Sequence, residues 1–150
     1  MRVVIQRVKS SSVEINQKIK SEIEKGLLVL VGISSDDNKS DVDWLVNKIL
    51  NLRIFNDKDG VMNYSLKDID GEILIISQFT LMALTKKGNR PSYINSASHQ
   101  TAIPLYEYFV KMFKEKMNDR AKSGVFGADM KVNLLNDGPV TIIIDTKDKE

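Results

Sequence analysis

The sequence predicts a mixed α/β fold in which strands dominate and two helices are interposed. Several short stretches either alternate apolar and polar side chains or are continuously apolar, and two longer stretches repeat apolar residues with helical spacing. The 150 residues fall within the usual size of one domain. Hydrophobic residues make up 42% and charged residues 28%, a globular composition that argues against long disordered segments. We therefore expect a single domain over residues 1–150.

Strands are predicted through the first half of the chain. Residues 2–8 and 13–19 alternate apolar and polar side chains around the polar segment 9–12, which predicts a hairpin. The run 27–33 is apolar without alternation, which is typical of a central strand covered on both faces. Residues 72–77 form a second run of this kind and end in a polar motif.

Two segments have the apolar spacing of a helix. The first covers about 40–52, and Ser40 with Asp43 can form a capping box at its start. The second covers about 98–118 and contains Pro104. Either this helix begins close to Pro104, where a missing N–H is harmless, or a longer helix kinks there.

The last third of the chain is again predicted to form strands. Apolar residues cluster at 125–126, 131–135 and 140–144, with breaks at Gly127 and at 136–139. The four residues Asn136-Asp137-Gly138-Pro139 have the composition of a turn. We therefore expect three short strands here.

Charge and composition exclude several classes of function. The net charge is only +2, so any contact with RNA must come from a local basic patch. The absence of Cys excludes a thiol nucleophile and Cys-based zinc sites and fits a reducing compartment. No apolar run approaches the ~20 residues of a membrane span. We expect a cytoplasmic protein with no membrane partner, no metal and no cofactor.

The strand end Ser77-Gln78-Phe79-Thr80 is the first candidate site. A buried strand that ends here delivers hydroxyls, an amide and backbone N–H groups to the rim of a sheet, which holds them rigidly. Taken alone, the pattern is also typical of an ordinary turn. His99 is the only histidine and lies in a polar stretch, where a surface or helix-entry role is expected, so a Ser-His-Asp triad is disfavoured.

Three further segments are candidates for a role in binding. A Gly138-Pro139 bond is trans by default, since only about 5–6% of X-Pro bonds are cis, but a cis bond would aim two carbonyls in one direction for capture of an ammonium group. The segment 126–130 places an aromatic ring and a thioether beside small residues, a combination that suits a nucleobase pocket but also an ordinary bend between strands. The loop 85–91 is basic and could contact phosphates.

Together these segments resemble the D-aminoacyl-tRNA deacylase family over essentially the whole chain. Six ordered blocks carry the resemblance: 1–8, 48–55, 77–81, 87–92, 126–130 and 136–141. One departure lies at 82–87, where the family usually has a more polar approach to the basic loop, and this affects the contact with tRNA rather than the chemistry. A sister branch has Pro in place of the Ser before Gln, so Ser77 argues against that branch.

The resemblance implies a three-layer α/β/β fold, with two packed, mostly antiparallel sheets and both helices on one side. It implies a homodimer with active sites at the interface, where the Ser77-Gln78-Phe79-Thr80 strand end receives the Gly138-Pro139 turn of the partner subunit. It also implies that the Gly-Pro bond is cis and that its carbonyl groups hold the amino group of the substrate. A side chain of L configuration would then collide with the turn, so L substrates are excluded.

The implied activity is hydrolysis of the ester of a D-aminoacyl-tRNA, a proofreading reaction that releases D-amino acid and tRNA. We also expect action on glycine mischarged onto tRNA(Ala). By resemblance, Phe126, Gly127 and Met130 line the pocket for the 3′-terminal adenosine. Ser77, Gln78 and the backbone around Phe79 polarise the ester carbonyl.

The role of Thr80 has two alternatives. Its hydroxyl could attack as a nucleophile, but the motif contains no His, Cys or Lys to activate it. In the second route, which we favour, the 2′-hydroxyl of the tRNA assists attack by water. Rival functions are a non-catalytic nucleic-acid-binding protein of the same fold, which would be expected to lose Ser77, Gln78, Gly138 or Pro139, and a bare dimerisation module.

Overall fold

A computed structural model describes residues 1–149. It contains eight strands and two α-helices within those residues. In chain order they are β1 (Arg2–Ile15), β2 (Lys18–Ile23), β3 (Gly26–Gly32), α1 (Lys39–Asn51), β4 (Phe55–Asn56), β5 (Met62–Tyr64), β6 (Glu72–Ser77), α2 (His99–Met117), β7 (Ala121–Ser123) and β8 (Lys131–Asp145). Short 3₁₀ helices lie at Phe79–Met82 and Asn118–Arg120.

Six strands form one sheet. Its order is β2-β1-β3-β6-β7, and β8 also pairs with β1. The pairs that involve β1 are antiparallel, whereas β3, β6 and β7 run parallel to one another. Strands β4 and β5 form a separate two-stranded sheet. The prediction of a mixed α/β fold with two helices is confirmed.

Strand β1 is twice as long as predicted because it joins two parts of the sheet. Its first half, residues 2–8, pairs with β3 and with the end of β8, and its second half pairs with β2 and the start of β8. The predicted turn at 9–12 is therefore wrong. The hairpin turn lies at Asn16 and Gln17, which both have positive φ as tight hairpin turns require.

Two hydrophobic clusters lie on opposite faces of the central strands. Ile73 and Ile75 of β6 face the cluster that contains α1 and α2, whereas Leu74 and Ile76 face the cluster that contains Val13. Because successive side chains of a strand point to opposite faces, both faces of β6 are buried. Each such side chain contributes about 1.5–3 kcal/mol when fully buried. This explains the unbroken apolar runs of β3 and β6.

The predicted helices are found within one residue of their expected bounds, but their starts differ from the prediction. Asn38 caps α1, accepting a hydrogen bond from Ser40 N at 2.9 Å, and Asp41 accepts one from Asn38 N at 3.0 Å. The predicted capping box of Ser40 and Asp43 is thus wrong by two residues. Helix α2 runs through Pro104, so it does not begin close to that residue. Neither helix is long and apolar enough to cross a membrane.

The last third of the chain differs most from the prediction. Residues 125–126 are not a strand, and β8 continues through 136–139 instead of breaking there. Both halves of β8 pair with β1, and shifts of register near Val8 accommodate the turn-like residues. Residues 136–139, whose composition is typical of a turn, therefore form an irregular part of one long strand.

Candidate active site

A cavity of about 670 Å³ opens beside the end of β6. Its volume lies within the roughly 300–1,000 Å³ of ordinary small-molecule sites. Six of the nine predicted site residues line it: Ser77, Gln78, Phe79, Phe126, Gly127 and Met130. The structure therefore brings the strand end and the predicted nucleobase pocket together, although they lie about 50 residues apart in the sequence.

Parallel pairing with β3 positions the strand end. Ser77 pairs with Val31, and Gln78 N donates a hydrogen bond to Val31 O at 2.7 Å. Gly32 follows, and a Cβ there would lie 2.9 Å from Leu81 Cβ and 3.0 Å from Gln78 O. Only a residue without a side chain allows β3 and the turn after β6 to approach this closely.

Thr80 lies outside the wall of the cavity but contacts it through Gln78. The Nε2 of Gln78 donates a hydrogen bond to Thr80 Oγ1 at 2.5 Å. An amide is not a base, so this contact positions the hydroxyl without activating it. Within residues 1–149, Gln78 is the one hydrogen-bond partner of the Thr80 side chain.

Phe126 also lines the cavity and is supported by two rings of α2. Its ring centroid lies 5.6 Å from that of Tyr106 and 5.8 Å from that of His99, which meets it edge-on. The buried Tyr106 hydroxyl donates to Ile75 O at 3.0 Å. Burial raises the pKa of Tyr106, so its hydroxyl remains a neutral donor.

Tyr93 and His99 also line the cavity, and the sequence did not identify either as a site residue. His99 is the first residue of α2, as the expected helix-entry role requires, yet it also faces the site. Residues near a helix start show no apolar periodicity that would reveal which way they face. Only the packing of α2 against Phe126 places His99 there.

The Gly138-Pro139 turn lies apart from this cavity. Both residues are exposed, the peptide bond between them is cis, and Gly138 has a φ of +131°. The side chain of Asn136 holds the turn by accepting a hydrogen bond from Val140 N at 3.2 Å. Within one chain, therefore, Gly138 and Pro139 do not meet the strand end at Ser77.

Arg7 lies beneath this turn and is only 7% exposed. Its Nε donates to Asp137 O at 2.9 Å, and its Nη1 donates to Ile54 O at 2.7 Å and to Asn56 Oδ1 at 3.1 Å. Arg7 was not among the predicted site residues. A signal was present, since Arg7 continues the inward-facing alternation of Val3 and Ile5, where a charged residue is unusual.

The basic loop 85–91 ends two residues before Tyr93, which lines the cavity. Leu84 and Ser92 exchange two backbone hydrogen bonds, of 2.8 and 3.0 Å, at the base of the loop. Lys86, Lys87 and Arg90 are all exposed on it. Among residues 1–149, no group of three or more His, Cys, Asp or Glu side chains is arranged to hold a metal.

Comparisons with known proteins give a consistent result. The model of the family described as D-Tyr-tRNA(Tyr) deacylase matches residues 4–145. Proteins named D-aminoacyl-tRNA deacylase from Flavobacterium psychrophilum and Bacteroides fragilis are 61% and 60% identical, each over 100% of both chains.

Two solved structures share the fold. One, described as a c-Myc DNA unwinding element binding protein, is 39% identical with a TM-score of 0.91 and covers 97% of this chain and 98% of its own. The other, a probable eukaryotic D-amino acid tRNA deacylase, is 19% identical with a TM-score of 0.81 over 95% of this chain and 97% of its own.

The fold is of mixed α/β architecture with a cavity at the end of a parallel strand pair, and the matching family model and relatives identify its class as a hydrolase. The chain belongs to the D-Tyr-tRNA(Tyr) deacylase family, which confirms the expected family and the expectation of an enzyme.

Proposed function

We propose that the protein hydrolyses the ester bond between a D-amino acid and the terminal adenosine of a tRNA, and that it thereby acts in proofreading in the cytoplasm. The observation that carries this proposal is the shared cavity, which is lined by Ser77 and Gln78 together with Phe126 and Met130. An aromatic ring and a thioether suit a nucleobase, while the polar strand end suits the ester.

Backbone and side-chain dipoles of the strand end stabilise the oxyanion that forms during attack. The segment Phe79–Met82 begins a helical turn immediately after β6, and the first N–H groups of a helix lack intrahelical partners. Donors fixed in this way favour the developing negative charge without reorganisation. Because the Thr80 hydroxyl contacts an amide and not a base, water assisted by the 2′-hydroxyl of the tRNA is the favoured nucleophile.

The active form is a homodimer in which the Gly138-Pro139 turn of one subunit completes the site of the other. Two features support this: the turn is exposed and away from its own cavity, and β8 exposes apolar side chains, with Leu135 56% and Ile143 67% exposed. Apolar surface of this kind favours association. In the complete site, the turn holds the substrate amine and excludes an L side chain by collision.

In this proposal the chain has three layers: the two helices, the central strands β3 and β6, and the part of the same sheet that β2 forms with β1 and β8. The two hydrophobic clusters on opposite faces of β6 support this arrangement. Strands β1 and β8 connect the second layer to the third in this proposal, because they are hydrogen-bonded to each other along both halves.

A non-catalytic nucleic-acid-binding role is the alternative, and one similar structure carries a DNA-binding description. Such a protein would have no need to keep both halves of the site. This chain keeps Ser77, Gln78, Gly138 and Pro139, which favours the enzyme.

Hydrolysis of D-tyrosyl-tRNA beside L-tyrosyl-tRNA by the purified protein tests the proposal. We expect release of D-tyrosine, little release of L-tyrosine, and the same rates in the presence of a chelator. Glycyl-tRNA(Ala) in a parallel reaction tests the expected second substrate. Equal rates for the two tyrosine enantiomers, or no hydrolysis of either, would contradict the proposed selectivity and activity respectively.

A further inference from the structure

An exposed aromatic pair stands at the rim of the cavity. The rings of Phe79 and Tyr93 meet edge to face with centroids 5.1 Å apart, yet Phe79 is 56% exposed and Tyr93 39% exposed. Both residues line the cavity that also holds Phe126. Tyr93 therefore presents an aromatic surface where the site opens to solvent. Tyr93 is not one of the residues predicted to bind the adenosine, so this surface is free to bind another group.

Backbone contacts fix Tyr93 in place. Ser96 N donates to Tyr93 O at 2.9 Å, and Ser96 forms a bridge with Ser34, just beyond the end of β3. On its other side, Ser92 is held by the two hydrogen bonds with Leu84. The ring is thus carried by a short segment anchored at both ends, so little entropy is lost when a ligand packs against it.

The charge around Tyr93 indicates the class of ligand. Segment 85–95 contains three cationic side chains, Lys86, Lys87 and Arg90, and no carboxylate. All three cations are exposed on the loop whose base adjoins Tyr93. An exposed ring beside a group of cations is the arrangement with which proteins bind single-stranded nucleic acid, because bases stack on rings while cations neutralise phosphates.

We infer that Tyr93 stacks against the base of the nucleotide preceding the terminal adenosine, while the basic loop 85–91 contacts the phosphates on the 5′ side of that nucleotide. This inference rests on the proposed function for the identity of the RNA. It places a second nucleotide site at the exposed edge of the same cavity that Phe126 and Met130 line.

Binding measured without catalysis tests this inference independently of the proposed activity. A labelled RNA oligonucleotide ending in the unpaired 3′ sequence CCA is titrated by fluorescence anisotropy with wild-type protein, Tyr93→Ala and Tyr93→Phe. We expect Tyr93→Ala to weaken binding about tenfold, the scale on which one stacked base contributes, and Tyr93→Phe to bind like wild type. Tyr64→Ala is the matched control, because Tyr64 is 40% exposed and does not line the cavity.

Hydrolysis with two substrates then separates the rim from the adenosine pocket. We expect Tyr93→Ala to lower kcat/KM for D-tyrosyl-tRNA about tenfold more than it lowers kcat/KM for 3′-D-tyrosyl-adenosine, which lacks the preceding nucleotide. Equal losses with both substrates would place Tyr93 in the adenosine pocket and overturn the inference. Unchanged binding of the oligonucleotide by Tyr93→Ala would also overturn it. If the wild type hydrolyses neither substrate, the proposed function is wrong. The binding measurement would then still decide the role of Tyr93.

Discussion

Thr80 has the chemical group of a nucleophile but not the surroundings of one. Its hydroxyl accepts a hydrogen bond from the Gln78 amide at 2.5 Å, and an amide cannot take up its proton. We expect Thr80→Ala to retain substantial activity toward D-tyrosyl-tRNA in a single-turnover assay. A loss of several orders of magnitude in a folded variant, or an acyl-enzyme on Thr80 in a mass spectrum, would show that Thr80 attacks directly.

Arg7 positions the turn at Gly138 through its three hydrogen bonds to Asp137 O, Ile54 O and Asn56 Oδ1. A lysine retains the charge but lacks the planar fork that serves several acceptors at once. We expect Arg7→Lys to destabilise the protein by about 1–3 kcal/mol, the cost of a buried polar group left unsatisfied. Thermal unfolding measures this change, and deacylation assays should show a loss of activity because the turn moves.

Arg53→Lys is the matched control for Arg7→Lys. Arg53 also donates to a backbone carbonyl, Asn63 O at 2.8 Å, but it is exposed and makes no hydrogen bond to residues 136–139. We expect this variant to keep both stability and activity. If the two variants behave alike, burial beneath the turn is not what makes Arg7 important.

At the scale of elements, the close approach of β3 to the turn after β6 fixes the strand end. Gly32→Ala would place a Cβ 2.9 Å from Leu81 Cβ and 3.0 Å from Gln78 O, so the turn must move outward. We expect a loss of about 1–3 kcal/mol in stability from overpacking, and a fall in kcat because Gln78 is displaced. Chemical denaturation and deacylation kinetics give the two quantities.

Gly60→Ala controls for the general cost of replacing a glycine. Gly60 has a φ of +80°, and a Cβ at this position would meet no heavy atom within 4 Å. Strain of about 1–2 kcal/mol is therefore expected without any collision. Full activity in Gly60→Ala beside reduced activity in Gly32→Ala would assign the effect to the strand end. Full activity in both would contradict the importance of this close approach.

At the scale of the whole molecule, the site is predicted to need two chains. Dimers are prepared in which one subunit carries Ser77→Ala with Gln78→Ala and the other carries Gly138→Val. The valine would disrupt the turn, since Gly138 has a φ of +131° and a Cβ would lie 2.8 Å from Arg7 Nη2. One composite site then has both lesions and the other has neither.

We expect about half of the wild-type activity from this mixed dimer and almost none from either parent homodimer. Light scattering establishes the dimer in each preparation. An inactive mixed dimer, or a wild-type protein that is a fully active monomer, would contradict a site shared between subunits.

The sequence was most informative where a pattern depends on neighbouring residues alone. Helical spacing located α1 and α2 within one residue of their bounds, and unbroken apolar runs located β3 and β6, because these patterns reflect which faces are buried. The order of polar and apolar residues also indicated the polar strand end at Ser77, whereas the pocket at Phe126 was predicted from the family resemblance.

Tertiary structure decided the features that depend on residues far apart in the chain. Pairing of β8 along both halves of β1 turned the segment 136–139 from a predicted break into part of one strand. Packing of α2 against Phe126 brought His99 to the cavity, and burial beneath the turn gave Arg7 its three acceptors. The sequence by itself therefore determined both helices and the central strands β3 and β6, whereas only long-range pairing and packing decided the full extent of β1 and β8 and which residues meet, because no local pattern encodes the partner of a strand or a side chain.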